Sequence, residues 1–176
     1  INTAGFLQSQ SEETGEQSSQ QVTNRLDVVS KTGAVTSDVS TSDTRRIGSV
    51  SLTVTKAPGA QDIDLDDVTV QWIDDGGTYN IISGNVFGTD EATGNTAGPF
   101  TINAIKDEDD SSPVLNSPDD RIEMNFDLSE ISGENNGLAL DEGDSVTLQI
   151  STEDSSASTV RLSVPQSLSG QTAATL

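Results

Sequence analysis

The 176-residue chain carries 29 acidic residues against 8 basic ones, a formal charge of −21 that excludes nucleic acid and anionic membrane as partners. Hydrophobic residues make up 31% and aromatics 3% of it, so the core has to be small and aliphatic, built from Val, Ile and Leu. Without cysteine or histidine there is no disulfide, no thiolate chemistry, and neither the commonest general base nor the commonest metal ligand. The acids are spread along the whole chain rather than gathered in a tail. Self-repulsion on that scale is relieved when the Debye length falls from about 10 Å at 0.1 M salt to about 3 Å at 1 M, which points to a protein made for brine, with a generic acidic secreted protein as the alternative.

In chain order, the first element is a helix over residues 1–33. Ile1, Ala4, Leu7, Ser11, Ser18, Val22, Leu26 and Val29 recur at intervals of three, four and seven, with Gly15 near the middle. That spacing places them on one helical face. Lys31 and Gly33 supply a stop signal, a cation near the negative helix end followed by a residue free to take positive φ. A helix of about 30 residues spans roughly 45 Å, more than one small domain covers, so its seam predicts a subunit interface. The seam has small residues at Ser11, Gly15 and Ser18, which permit close helix approach. The last turn, Val22, Leu26 and Val29, either continues such a bundle or docks on the chain's own domain.

Residues 34–45 are hydroxyl-rich and read as a connector, and from residue 46 to 176 the periodicity alternates. "RIGSVSLTVTKA" puts Leu52 and Val54 on one side; "VTVQWI" and "TYNII" flank Asp74-Asp75-Gly76-Gly77, a hairpin signal. "PFTINAI" adds a strand, and "RIEMNFDL" points Ile122, Met124, Phe126 and Leu128 one way. "SVTLQIS" and "TVRLSV" flank "TEDSSAS", a second hairpin. About seven short strands with polar turns predict a mainly β domain, an antiparallel sandwich of the immunoglobulin-like type. Trp72, Tyr79 and Phe87 are expected to fill the core around the first hairpin.

Both ends of the chain resemble archaellins, the filament subunits of the archaeal flagellum, and specifically the haloarchaeal ones. The segment "INTAGFLQSQSEETGEQSSQQVTNRLDVVS" is similar to the lower part of that family's N-terminal helix. "LDEGDSVTLQIST" and "TVRLSVPQSLSGQTAATL" are similar to its ending, including the run from Val164 to Gly170. Residues 85–120 resemble nothing specific. The resemblance implies a type IV pilin-like architecture in which an apolar helix of some twenty residues precedes Ile1. That helix would hold the precursor in the membrane and then bundle in the filament core, with β domains outside. It implies an extracellular structural subunit for swimming motility, polymerising with copies of itself, alone or with paralogous archaellins. Assembled, it would contact neither membrane nor nucleic acid and need no cofactor. Family members often carry N-linked glycans, but no Asn-x-Ser/Thr acceptor with x other than Pro occurs here.

The densest acidic stretch, "KDEDDSSPVLNSPDDR", offers Asp107, Asp109, Asp110, Asp119 and Asp120 as candidate ligands for a hard cation such as Ca²⁺. The EF-hand order of Gly at the sixth and Glu at the twelfth position is absent, and in a chain this acidic a solvated surface is the stronger reading. Asp62, Asp64, Asp66 and Asp67 stand on the same terms. Catalysis is not expected, because no Ser-His-Asp or Cys-His arrangement is possible without His or Cys, Lys31, Lys56 and Lys106 sit in no recognisable nucleophile motif, and nothing suggests a sheltered carboxylate pair. Two readings compete with the motility filament. One is a pilin-like adhesion subunit on the same plan; the other is a secreted calcium-binding module using the acidic loop. Only the two filament classes need an apolar helix ahead of Ile1.

Overall fold

Alternation of buried and exposed positions builds the sheet. In "RIGSVSLTVTK" the buried residues Val50, Leu52 and Val54 fall on one face, as the two-residue period of a strand requires, and buried Ile47 departs from that period where the β1–β2 ladder skips Gly48. The computed structural model describes residues 25–37, 45–84, 96–129, 131, 138–154 and 156–176. Among them, eleven strands follow in chain order: β1 (Leu26–Ser37), β2 (Arg45–Lys56), β3 (Ile63–Asp64), β4 (Thr69–Asp74), β5 (Gly77–Ser83), β6 (Thr96–Lys106), β7 (Val114–Leu115), β8 (Arg121–Asp127), β9 (Ser145–Ser151), β10 (Ala157–Ser163) and β11 (Ala173–Thr175). Nine form one sheet in the order β10-β9-β4-β5-β6-β8-β2-β1-β11, and β3 pairs with β7 as a separate ribbon. The domain is mainly β, and the described residues contain no helix.

All seven strands read from the sequence are present, as β2, β4, β5, β6, β8, β9 and β10. Both hairpins form, β4 against β5 and β9 against β10. In the first, Asp74 Oδ1 accepts from the backbone N–H groups of Gly76 (2.8 Å) and Gly77 (2.9 Å), holding the turn. Its other oxygen accepts from Trp72 Nε1 at 3.1 Å. The sheet departs from the antiparallel expectation at one ladder: β5 and β6 run parallel.

The larger correction is at the start. Residues 26–33, expected as the last turns of the helix, are strand, and so are residues 34–37 of the expected connector. β1 pairs with β2 from Leu26↔Lys56 to Ser37↔Arg45 and with β11 from Thr32↔Thr175 to Ala34↔Ala173. Residues 26–37 therefore belong to the sheet domain, whose expected start was residue 46. The physical reason lies in both composition and partners. "LDVVSKTGAVTS" is rich in Val and Thr, whose branched side chains favour the pleated surface, and partners on both sides satisfy its backbone. Gly33 is no helix stop: a Cβ there would lie 2.8 Å from Ile47 Cγ2 and 3.1 Å from Leu176 Cδ1. Gly33 thus lets the buried C-terminal Leu176 and Ile47 close over β1. Gly33→Val is expected to cost about 1–3 kcal/mol by overpacking, lowering the melting temperature by about 3–10 °C in a thermal scan.

The core lies within the curve of the sheet. Trp72, Phe100, Phe126, Ile81, Ile122 and Met124 are fully buried, and the Phe100 and Phe126 rings stack tilted at 5.5 Å. Strands β1 and β10, far apart in sheet order, approach one another: Ser158 Oγ donates to the Leu26 carbonyl (2.8 Å) and Lys31 Nζ to the Arg161 carbonyl (2.6 Å). Side chains rather than a backbone ladder bridge this seam.

Candidate assembly surface

The expected interface seam divides at Arg25. Ile1, Ala4, Leu7, Ser11, Gly15, Ser18 and Val22 lie outside the described residues. Leu26 is buried in the core of its own sheet, 2% exposed, which removes it from any subunit-facing helix. Val29, on β1 near an irregularity in its ladder, is 54% exposed. The two members of the seam that the structure places are therefore on a strand, one facing inward and one outward.

The acidic candidates gather at one end of the domain. Asp62, Asp64, Asp66 and Asp67 belong to the connection from β2 to β4, and Asp107, Glu108, Asp109, Asp110, Asp119 and Asp120 to that from β6 to β8. The β3–β7 ribbon ties these two connections together through Ile63↔Leu115. A cavity of about 40 Å³ brings Asp62, Asp64 and Asp67 up to Glu153 and Asp154 in the β9–β10 turn. Even so, among the described residues no three acidic groups are arranged to hold a metal ion.

Several carboxylates are occupied by the chain itself. Asp107 accepts from Ser112 N (2.8 Å), Ser111 N (3.1 Å) and Ser111 Oγ (3.3 Å). Asp120, 3% exposed, accepts from Ser117 N (2.8 Å) and Asn116 N (3.2 Å). Asp109 accepts from Asn116 Nδ2 at 2.7 Å, and Asp66 from the buried Ser83 hydroxyl at 2.5 Å. Asp110 sits at φ 57°, in the left-handed region where the loop turns back, and the Asp119 N–H donates to Ser117 Oγ at 3.2 Å. These acids shape loops, a use that spacing alone does not reveal.

The same bonds displace the pKa of Asp107. The backbone N–H of Ser112, seconded by that of Ser111, holds it below its ordinary value of 3.8 against a smaller opposing effect of burial. A depressed folded-state pKa adds stability that is fully present above the unfolded value and lost as pH falls through the folded one. The melting-temperature difference between the wild-type chain and Asp107→Asn is therefore expected to be constant above about pH 5 and to shrink below 3.8. Thermal scans of both proteins in acid series read it directly; a difference that does not narrow would show that the loop does not depend on the charge.

Basic groups are few and mostly committed. Arg46 grips Asp141 with two bonds, Nε to Oδ1 (2.5 Å) and Nη2 to Oδ2 (2.9 Å), so its ion pair is within the domain. Lys56, 8% exposed, bonds Asp62 (3.1 Å) and the Asn116 carbonyl (2.7 Å), fastening the acidic end to β2. Arg45 donates to the Gln171 carbonyl. At the other end a depression of about 420 Å³ includes Asp74, Asp75, Tyr79 and Asp144. Its Asp74 holds the hairpin, and Asp144 Oδ2 accepts from Asp141 N at 2.8 Å.

Known proteins share both this sheet and this sequence. The family model for archaeal-type flagellin matches residues 1–162. Flagellin A1 of Haloferax volcanii is 38% identical over 176 aligned residues, covering 97% of this chain and 80% of that protein. Flagellin B2 of Halobacterium salinarum is 39% identical, covering 100% and 82%. Among solved structures, the archaeal flagellin FlaB1 of Methanocaldococcus jannaschii matches the fold with a TM-score of 0.62 at 16% identity, over 85% of this chain and 94% of that one. The archaeal flagellum of Methanospirillum hungatei matches at 0.55 and 17%, over 93% and 80%. With the family model running from the first residue to Leu162 and haloarchaeal flagellins aligned along nearly its whole length, the chain belongs to the archaeal-type flagellin family and is a structural subunit of the archaeal flagellum, not an enzyme.

Proposed function

We propose that the chain polymerises into the extracellular filament with its rolled β domain, sandwich-like across the β1–β10 seam, on the outside. The residues ahead of Arg25 act as the stem. In this reading Ile1, Ala4, Leu7, Ser11, Gly15, Ser18 and Val22 form the helical seam that lies among copies of itself, and an apolar segment ahead of them completes the filament core. Subunit follows subunit by a heterologous contact that does not close on itself, with paralogous flagellins able to enter the same lattice. The observation that carries the reading is the unbroken family match across residues 1–162, which joins the segment ahead of Arg25 and the sheet behind it in one unit. The two haloarchaeal relatives also suit a charge of −21, since molar salt screens the acids that would otherwise repel between subunits.

Deleting the gene in its native cells tests this by electron microscopy and a swimming assay. The expected result is loss or shortening of the thin surface filaments together with loss of swimming. Cells that keep normal filaments and motility would argue for a different appendage; lost surface adhesion with intact swimming would favour the pilin-like adhesion subunit.

A further inference from the structure

Three of the chain's eight cations form ion pairs among the described residues, and four of the other five donate to neutral acceptors. Arg46, Lys56 and Lys106 are in ion pairs, Arg45 bonds the Gln171 carbonyl, and Arg121 bonds the Thr55 hydroxyl and the Pro118 and Asp120 carbonyls. The other three, Arg25, Lys31 and Arg161, line a single groove of about 310 Å³ along the β1–β10 seam. Among the described residues none of the three forms an ion pair with a carboxylate. Lys31 donates to the Arg161 carbonyl and Arg161 Nη2 to Ser145 Oγ at 3.3 Å, both neutral acceptors. Arg25 and Arg161 are exposed, and Asp27 is the one acid among the described lining residues.

In a chain of net charge −21, three cations side by side with the single lining acid Asp27 form a local reversal of the field. The rest of the same molecule supplies its complement, the acidic end with Asp107 to Asp110, where the Glu108 side chain is 85% exposed. We infer that the β1–β10 groove is the docking site for the acidic end of a second copy of this chain. The inference rests on the filament reading and deepens it. Two different and complementary patches on one chain make a head-to-tail contact, the kind that extends into a fibre instead of closing as a dimer. Molar salt removes long-range repulsion between acidic subunits but screens partly buried contact pairs much less. Under such conditions, paired charges in a groove select one register while the remaining acids stay silent. The seam is open to an acidic loop, since β10 has a ladder partner on one side only and meets β1 through side-chain bonds.

Zero-length carbodiimide cross-linking of filaments grown from a mixture of unlabelled and ¹⁵N-labelled full-length chains tests this in the unmodified protein. Mixed-label peptides joining Lys31 to a carboxylate of the acidic end are expected. Lys31 linked only to acids of its own chain, such as Glu12, Glu13 or Asp27, or linked to none, would overturn the proposal. A second arm replaces Arg25 and Arg161 together. R25E/R161E is expected to reduce filament yield at least tenfold while keeping its circular dichroism spectrum, and R25K/R161K to assemble normally. Normal filaments from the folded R25E/R161E protein would sink the groove contact and leave the filament reading standing. Absence of filaments from the unmodified chain would remove the filament reading first, and the groove with it.

Discussion

Raising NaCl from 0.1 M to 1 M is expected to raise the melting temperature of this chain by about 10 °C or more, far beyond the response of a near-neutral domain of the same size. Two unit charges 10 Å apart in water repel by about 0.4 kcal/mol before screening. An excess of 21 negative charges on one chain, with three ion pairs among the described residues, sums such terms over many neighbours. Several kcal/mol remain after the weaker repulsion within the unfolded chain is subtracted. A domain of 150–250 residues gains about 2–4 °C per kcal/mol, and shortening the Debye length from about 10 to about 3 Å removes most of the repulsion. The effect should be steepest at the acidic end, so replacing Asp67, Glu108 and Asp154 by amides should flatten the curve. A melting temperature that stays level or falls over that range would show that the acids serve something other than brine.

The second large effect is expected at Trp72, which is fully buried between β5 and β9. It faces Tyr79 on one side and Leu148 on the other, and its indole nitrogen bonds the carboxylate that closes the β4–β5 turn. Trp72→Ala removes the largest side chain of an aromatic-poor core and leaves a cavity, a change that costs about 3–5 kcal/mol. A thermal scan should show a fall of about 10–15 °C. Trp72→Phe keeps most of the volume but loses the donor to Asp74, and should fall by less than half as much. Equal losses for the two variants would mean that the hydrogen bond, not the packing, holds this corner.

The seven strands were legible because each carries its own alternation. Ile122, Met124 and Phe126 in β8, or Val146, Leu148 and Ile150 in β9, bury one face and solvate the other without reference to distant residues. β1 was not legible on those terms. Leu26 and Val29 keep helical spacing by coincidence, and what makes the segment a strand is partnership with β2 and with Ala173–Thr175 near the far end of the chain. β3, β7 and β11, two or three residues each, are too short to show a period. The parallel β5–β6 ladder depends on how the chain crosses between them, which no local pattern encodes. At the acidic loops, composition revealed the charge but not its use. Whether Asp107 and Asp120 face a cation or backbone N–H groups is settled by how the loop folds around them. The cationic groove was invisible for the same reason, since Arg25 and Arg161 are 136 positions apart in the sequence and meet only across the seam.

In the proposed filament the sheet lies outside and the residues before Arg25 lie inside. Cryo-electron microscopy of filaments purified from the native cells, at a resolution that shows side chains, tests this arrangement most directly. The expected map shows the nine-stranded sheet in the outer shell, with Trp72 and Phe126 in its core and the chain entering the filament interior from Arg25. A map whose outer domain cannot accommodate this sequence, or in which the sheet lines the filament axis, would contradict it.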